Sequence, residues 1–221
     1  MSARPRSSTR TATASTCDGS PSTVEVDLCG HATLASVHIL RELGLARVGA
    51  AVRFATSSGT LSVQIDADWL HLAFPVERAE PVETPQALVD GLGVTPLWVG
   101  RNRLDFVAEL ASADVVRELT PHLRALAELP GDAVIVTAPG GTDDIDYVCR
   151  VFGLKAGIPE DPATASAQCA LGPYWAAKLG KRELQVYQNS KRGGFLRVRT
   201  AGARVINSGQ AVTTSAGDLL R

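Results

Sequence analysis

Val24, Val26 and Leu28 alternate with Glu25 and Asp27, a period of two that predicts a half-buried strand. The period then lengthens. Leu34, Val37, Leu40 and Leu43 recur at three-residue steps between Gly30 and Gly44, which predicts a helix with glycine at its start and its stop. Apolar runs at 52–56, 60–65 and 71–74 predict three strands, separated by turns at Ser57-Ser58-Gly59 and Asp66-Ala67-Asp68. These strands form a meander.

Pro75, Pro81 and Pro85, interleaved with Glu77, Glu80 and Glu83, mark a polar stretch that predicts a boundary between a first lobe, 23–82, and a second, 83–221. A second set of elements follows it. Helices are predicted at 88–92, 113–119 and 122–129, and strands at 97–99, 104–110, 133–138 and 145–152. A long helix is predicted from Thr164 to Gly180, kinked at Pro173, with strands at 183–187, 195–199 and 204–206 after it. Ala32-Thr33-Leu34-Ala35-Ser36 and Ala163-Thr164-Ala165-Ser166-Ala167 are alike, so each lobe is expected to carry one helix opened by a loop of small residues. Backbone N–H groups at such a helix start can approach an anion closely. Residues 1–22 are rich in Ser, Thr, Ala and Arg without apolar periodicity, and predict a disordered tail or a misread start.

Composition narrows the function classes. The chain of 221 residues is 45% hydrophobic and 20% charged with a net charge of −1, so no global positive field exists to hold nucleic acid. Apolar runs such as 133–138 fall far short of the roughly 20 residues that cross a bilayer as a helix. Neither a nucleic-acid nor a membrane partner is expected. Cys17, Cys29, Cys149 and Cys169 form no C-x-x-C pair, and the four histidines show no ligand spacing, which argues against a metal centre. No apolar leader precedes the first cysteine, and the expected compartment is the cytoplasm.

Three loops hold candidate chemistry. Cys29-Gly30-His31 precedes the first helix, where the dipole lowers a thiol pKa and a histidine is placed for proton transfer; the alternative is a buried cysteine and a surface histidine. Glu160-Asp161 sits between Pro159 and Pro162, ahead of Thr164 and Ser166. That loop is either an acidic helix cap with Glu160 solvated, or a proton-transferring Asp161 beside a carboxylate cradle of Ser166 and its neighbouring amides. Gln188-Asn189-Ser190-Lys191-Arg192-Gly193-Gly194 is either a hairpin turn or an anion-contacting loop in which Arg192 offers its planar fork. His38, His71 and His122 are expected to be structural, and Cys149 and Cys169 to lie in the core.

These segments, in this order and together with Arg150-Val151-Phe152 and the Ala170-Leu171 to Tyr174-Trp175 helix, resemble the phenazine-biosynthesis (PhzF-like) isomerase family over about residues 23–212. The resemblance implies an α+β, diaminopimelate-epimerase-like fold: two similar lobes, each a curved, mostly antiparallel sheet wrapped around a central helix, with the active site between them. It implies homodimers, no cofactor and no metal, and acid/base proton transfer on a small carboxylated substrate in a biosynthetic pathway. Carried over by position, His31, Asp161 and Cys29 become the catalytic candidates. Gly30, Thr164, Ser166, Ser190, Arg192 and Gly193 become the substrate-binding ones. Ala165 stands where the family usually has glycine, and Gln168 where histidine is frequent. The family's catalytic glutamate and several strands lie upstream of the Cys-Gly-His loop, and this sequence shows no counterpart, so the first lobe is expected to be incomplete. Activity is then expected only if that glutamate is supplied, and the alternative is a non-catalytic binding or interaction protein that keeps the cleft. A third reading pairs Cys29 with Asp161 across a substrate carbon, as in an amino-acid epimerase.

Overall fold

The change of period after Leu28 materialises as α1 (Gly30–Glu42), and the meander as β1 (Ala51–Thr56), β2 (Gly59–Ile65) and β3 (Leu70–Pro75). A computed structural model describes residues 30–56 and 59–217; the strand expected at 24–28, the tail 1–22 and Cys29 lie outside the described residues. Phe54, Val63, Leu72 and Phe74 turn to one face and pack with Val37 of α1 in a single apolar cluster. Alternation along the strands dictates this, because successive side chains point to opposite faces. On the far side of α1 and in the turn after it, Ile39, Leu43, Leu45 and Val48 are exposed.

The proline-punctuated stretch is not merely a connection. It contains β4 (Glu80–Pro81), which pairs antiparallel with β5 (Trp98–Arg101) at the end of the sheet. An edge is where a strand tolerates proline, since the missing N–H faces no partner. Next come α2 (Gln86–Leu92), β6 (Asp105–Glu109), α3 (Ala113–Glu118), α4 (Leu123–Leu126), β7 (Ala133–Thr142) and β8 (Ile145–Gly153). The helix expected at 122–129 shrinks to one turn, and beyond it the chain makes tighter bonds such as Leu129 N–H to Leu126 O at 3.2 Å.

β6 is buried along its whole length. One face of β6, β7 and β8 packs Phe106, Val136 and Phe152 under α2, α3 and α4. The other packs Val107, Ile135 and Val151 against α5 (Gln168–Leu179). A helix layer thus covers the outside of the sheet as well, in addition to the enclosed helix that the periodicity predicted.

A 3₁₀ turn (Leu154–Ala156) ends at Gly157, whose φ of +70° turns the chain back as β9 (Ile158–Asp161), paired antiparallel with β8. β10 (Glu183–Gln188), β11 (Gly194–Ala201) and β12 (Arg204–Gly209) complete the chain of strands. Among the described residues the sheet runs β1-β2-β3-β12-β11-β10-β8-β7-β6-β5-β4, with β9 beside β8. β12 pairs with β3, from Arg204 opposite Pro75 to Gly209 opposite Leu70, so the last strand ties the two halves of the sheet together.

α5 runs through Pro173. Proline has no N–H for the carbonyl four residues earlier, which is that of Cys169. The Cys169 carbonyl instead accepts the N–H of Glu77 at 3.1 Å, anchoring the segment between β3 and β4 to the helix. Trp175 on the same helix is buried, donates from Nε1 to Thr137 Oγ1 at 2.9 Å, and stacks on Tyr147.

Two buried carboxyl groups on β6 are treated differently. Glu109 is met by the Tyr174 hydroxyl and the Lys178 ammonium. Asp105 has no such cation among the described residues, and burial, with Asp132 beside it, raises its pKa from 3.8 to about 6. The folded state therefore holds this proton more tightly than the unfolded chain. Its stabilising contribution is complete below about pH 4 and is lost as pH rises through about 6. Asp105→Asn should flatten the stability profile between those values and raise the melting temperature at pH 7. The ceiling is about 3 kcal/mol, reduced to about 1 by weakened bonds to Asn102 and the Ala133 backbone. Thermal unfolding of both proteins across pH 4–8 checks it; parallel profiles would refute it.

Candidate active site

The 158–161 segment, expected as a loop, is strand β9, and pairing Asp161 opposite Val151 fixes where the carboxylate emerges. Arg150 on β8 holds this strand from the side, with Nε to Glu160 Oε1 at 2.6 Å and Nη2 to Glu160 Oε2 at 3.2 Å. Its Nη1 also donates to the carbonyls of Val116 and Leu119, at 3.2 and 2.6 Å. Glu160 is therefore paired rather than solvated, and a bidentate fork of this kind fixes direction as well as distance.

The helix expected from Thr164 begins only at Gln168. Five hydrogen bonds hold the intervening residues out of it. Gln188, fully buried at the end of β10, accepts the Thr164 N–H at 2.8 Å and donates from Nε2 to the Asp161 carbonyl at 2.7 Å. Gln188 Nε2 also reaches Thr164 Oγ1 at 3.1 Å, and the Thr164 hydroxyl donates to Asp161 Oδ2 at 2.7 Å. The other Asp161 oxygen accepts the Ala163 N–H at 3.4 Å. A relay from a buried amide through a hydroxyl thus orients a half-buried carboxylate. Neither Asp161 nor Thr164 caps α5, whose flanking residue Ala167 makes no side-chain cap bond.

Residues 165–167 form a turn ahead of α5. Their carbonyls accept the N–H groups of Gln168, Cys169 and Ala170 at 3.2, 2.9 and 3.2 Å. The N–H groups of Ala165, Ser166 and Ala167 have no acceptor among the described residues. Those donors are the unsatisfied end of a helix, where the dipole favours an anion. Asn207 Nδ2 holds the Ala165 carbonyl at 2.8 Å, and Gln168 Nε2 holds the Thr164 carbonyl at 3.1 Å while the Tyr147 hydroxyl donates to Gln168 Oε1 at 2.6 Å. Thr164 thus orients Asp161, and Ser166 lies half-buried beside the open amides.

Gly30 brings the first loop to this place. A methyl group on its α-carbon would lie 2.5 Å from the Ala165 Cβ and 3.3 Å from the Phe74 ring. The start of α1 and the turn before α5 are in contact, and only a hydrogen fits between them. His31 follows, exposed in the first turn of α1. Cys29 lies outside the described residues. The two similar segments are not equivalent in structure: Ala32-Thr33 lies inside α1, while Ala163-Thr164 precedes α5.

The turn between β10 and β11 completes the surroundings. Ser190 Oγ donates to the Pro162 carbonyl at 2.9 Å and accepts the Gly193 N–H at 3.1 Å, so Ser190 and Gly193, with φ of +72°, secure the turn against the Asp161 loop. Arg192 is exposed on it, with no ion pair among the described residues. Burial pushes the thiols of Cys149 and Cys169 up to about 12, which keeps both protonated and unreactive near neutral pH. His38 bonds Thr213 Oγ1 at 3.2 Å and His71 bonds Ser208 Oγ at 2.7 Å. Among the described residues no group of histidine, cysteine and carboxylate side chains is arranged to hold a metal ion, and no helix is long and apolar enough to cross a membrane.

Gln188 and Asn207 are positioning residues that the sequence does not mark. Gln188 is 24 residues from Thr164, and Asn207 is 42 residues from its partner Ala165. No spacing rule connects such positions.

A family model described as phenazine biosynthesis-like protein matches residues 20–217. An uncharacterized isomerase of Halalkalibacterium halodurans is 44% identical over 197 residues, which are 89% of this chain and 74% of that protein. The crystal structure of a PhzF-family phenazine biosynthesis protein from Enterococcus faecalis, 36% identical, superposes with a TM-score of 0.80 over 86% of this chain and 72% of that one. A predicted epimerase from Pseudomonas aeruginosa, 19% identical over 86% of this chain and 76% of its own, shares the fold with a TM-score of 0.58. The architecture is the expected α+β, diaminopimelate-epimerase-like one.

Proposed function

This chain belongs to the phenazine biosynthesis-like (PhzC-PhzF) family of isomerases, and from that premise we propose that, with Asp161 as base in place of the family's upstream glutamate, it moves a proton between two carbons of a small carboxylated substrate by acid/base chemistry. One observation carries the substrate class. Three successive backbone donors, at Ala165, Ser166 and Ala167, have no acceptor among the described residues and follow the oriented Asp161 within four to six residues of chain. A substrate carboxylate accepting these N–H groups, with the Ser166 hydroxyl beside them, places the neighbouring carbon near Asp161.

Asp161 then acts as the base. It takes a proton from one carbon, the electron pair delocalises into the substrate, and the proton returns to a second carbon, so that nothing is consumed and no redox partner is needed. Thr164 and Gln188 hold the carboxylate still while this happens. His31, at the start of the adjoining helix, is the second proton-handling group, and Arg192 on the neighbouring turn offers a fork to further anionic groups. The chemistry draws on no resident cofactor or metal, and the enzyme works as a homodimer in the cytoplasm.

The test is carbon-bound deuterium. A panel of small amino and hydroxy carboxylates is incubated with the protein in D₂O, each beside its methyl ester, and read by proton NMR and mass spectrometry. Wash-in into an acid and not its ester is the expected result. Binding without exchange would overturn proton transfer and leave a binding cleft; exchange into the ester as well would overturn the amide cradle.

A further inference from the structure

A groove of about 500 Å³ lies at the far end of α5 from Asp161. The groove runs along the second half of that helix, from Pro173 to Gly180, whereas the Asp161 loop precedes its first turn. The groove floor is Val76, Pro173 and Ala176, and its rim carries Arg78, Lys181 and Arg182, with no acidic residue among those lining it.

The cations are not equivalent. Lys181 follows the C-terminus of α5, where a cation answers the helix dipole, and is held by Asp146 at 2.6 Å. Arg182 gives its carbonyl to the Thr200 N–H, while its guanidinium has no partner among the described residues. Arg78 arrives from a different element, the connection between β3 and β4, so the helix dipole does not account for it. The acids next to these arginines in sequence lie closer to other arginines: Glu77 at 3.6 Å from Arg103 and Glu183 at 4.0 Å from Arg199. Two unpaired planar forks thus face a space with an apolar base.

We propose that this groove binds a small organic anion, its phosphate or carboxylate head held by Arg78 and Arg182 and its apolar body laid on Pro173 and Ala176. Arginine suits this task because its donors match the geometry of either head group in pairs. The site is separate from the Asp161 loop and does not rest on the isomerase reading.

Phenyl phosphate and inorganic phosphate, titrated calorimetrically into the full chain, test it. Phenyl phosphate is expected to bind about tenfold more tightly, since a buried ring adds apolar contact that phosphate alone lacks. Arg78→Gln and Arg182→Gln should each weaken phenyl phosphate about tenfold or more, as loss of a charge-assisted bond requires, with melting temperatures unchanged. Arg78→Lys, which keeps the charge and loses the fork, should fall between and covers the case in which the glutamine variant unfolds. Ser166→Ala should leave this binding untouched. No binding, binding indifferent to both arginines, or binding lost on Ser166→Ala would each overturn the proposal; in the last case the anion sits at the α5 start instead.

Discussion

Asp161→Asn should reduce deuterium wash-in by about 10²- to 10⁴-fold, the usual contribution of a positioned proton-transfer group, while the melting temperature barely moves. The amide keeps the size of the carboxylate and can still accept the Thr164 hydroxyl through its oxygen, now at 2.7 Å from Oδ2. Its nitrogen would then face the Ala163 N–H, a bond of 3.4 Å whose loss costs no more than about 1 kcal/mol. The fold survives and the base does not. Thr164→Val provides the contrast, because it leaves the carboxylate and removes the hydroxyl that aims it, so a smaller loss of roughly tenfold is expected. Residual exchange at the parental rate in Asp161→Asn would move the base elsewhere, and His31→Gln measured in the same assay would then identify or exclude the second candidate.

Most of what periodicity can encode was legible. β1, β2 and β3 have their apolar residues at every second position, and α1 carries Leu34, Val37 and Leu40 toward one side, because each pattern is local and each is satisfied by burial against one neighbour. The site was legible as a set of residues and not as a geometry. The late start of α5 depends on Gln188, 24 residues further on, taking the Thr164 N–H that a helix would otherwise enclose. Likewise β9 reads as a proline-bounded loop until β8 offers it a partner, and the pairing of β12 with β3 joins residues well over a hundred positions apart. Composition holds no trace of such partners. The motif resemblance supplied what periodicity lacked, an ordered list of positions, and the structure adds that Thr164 and Gln188 hold Asp161 in place.

Gly30→Ala should then be more damaging than its chemistry suggests. Gly30 opens α1 without a positive φ, so alanine is allowed by the backbone, and helix propensity favours it over glycine. Contact dictates the opposite sign. The new methyl falls 2.5 Å from the Ala165 Cβ, with the Phe74 ring behind it at 3.3 Å, so the start of α1 and the turn bearing the open amides must separate. Overpacking of this kind costs about 1–3 kcal/mol. A shift near 1 Å between groups that must hold one substrate costs about 10²-fold in rate, so wash-in should fall accordingly. Ala165→Gly in the same chain removes the obstructing methyl and should restore both stability and exchange, giving a coupling energy of about 1–3 kcal/mol in a double-mutant cycle. Thermal melts and deuterium wash-in on the two single variants and the double variant measure it. A stabilised Gly30→Ala, or a double variant no better than Gly30→Ala, would mean that the two loops do not meet in solution, and the site would lose the contact that sets His31 against the Asp161 loop.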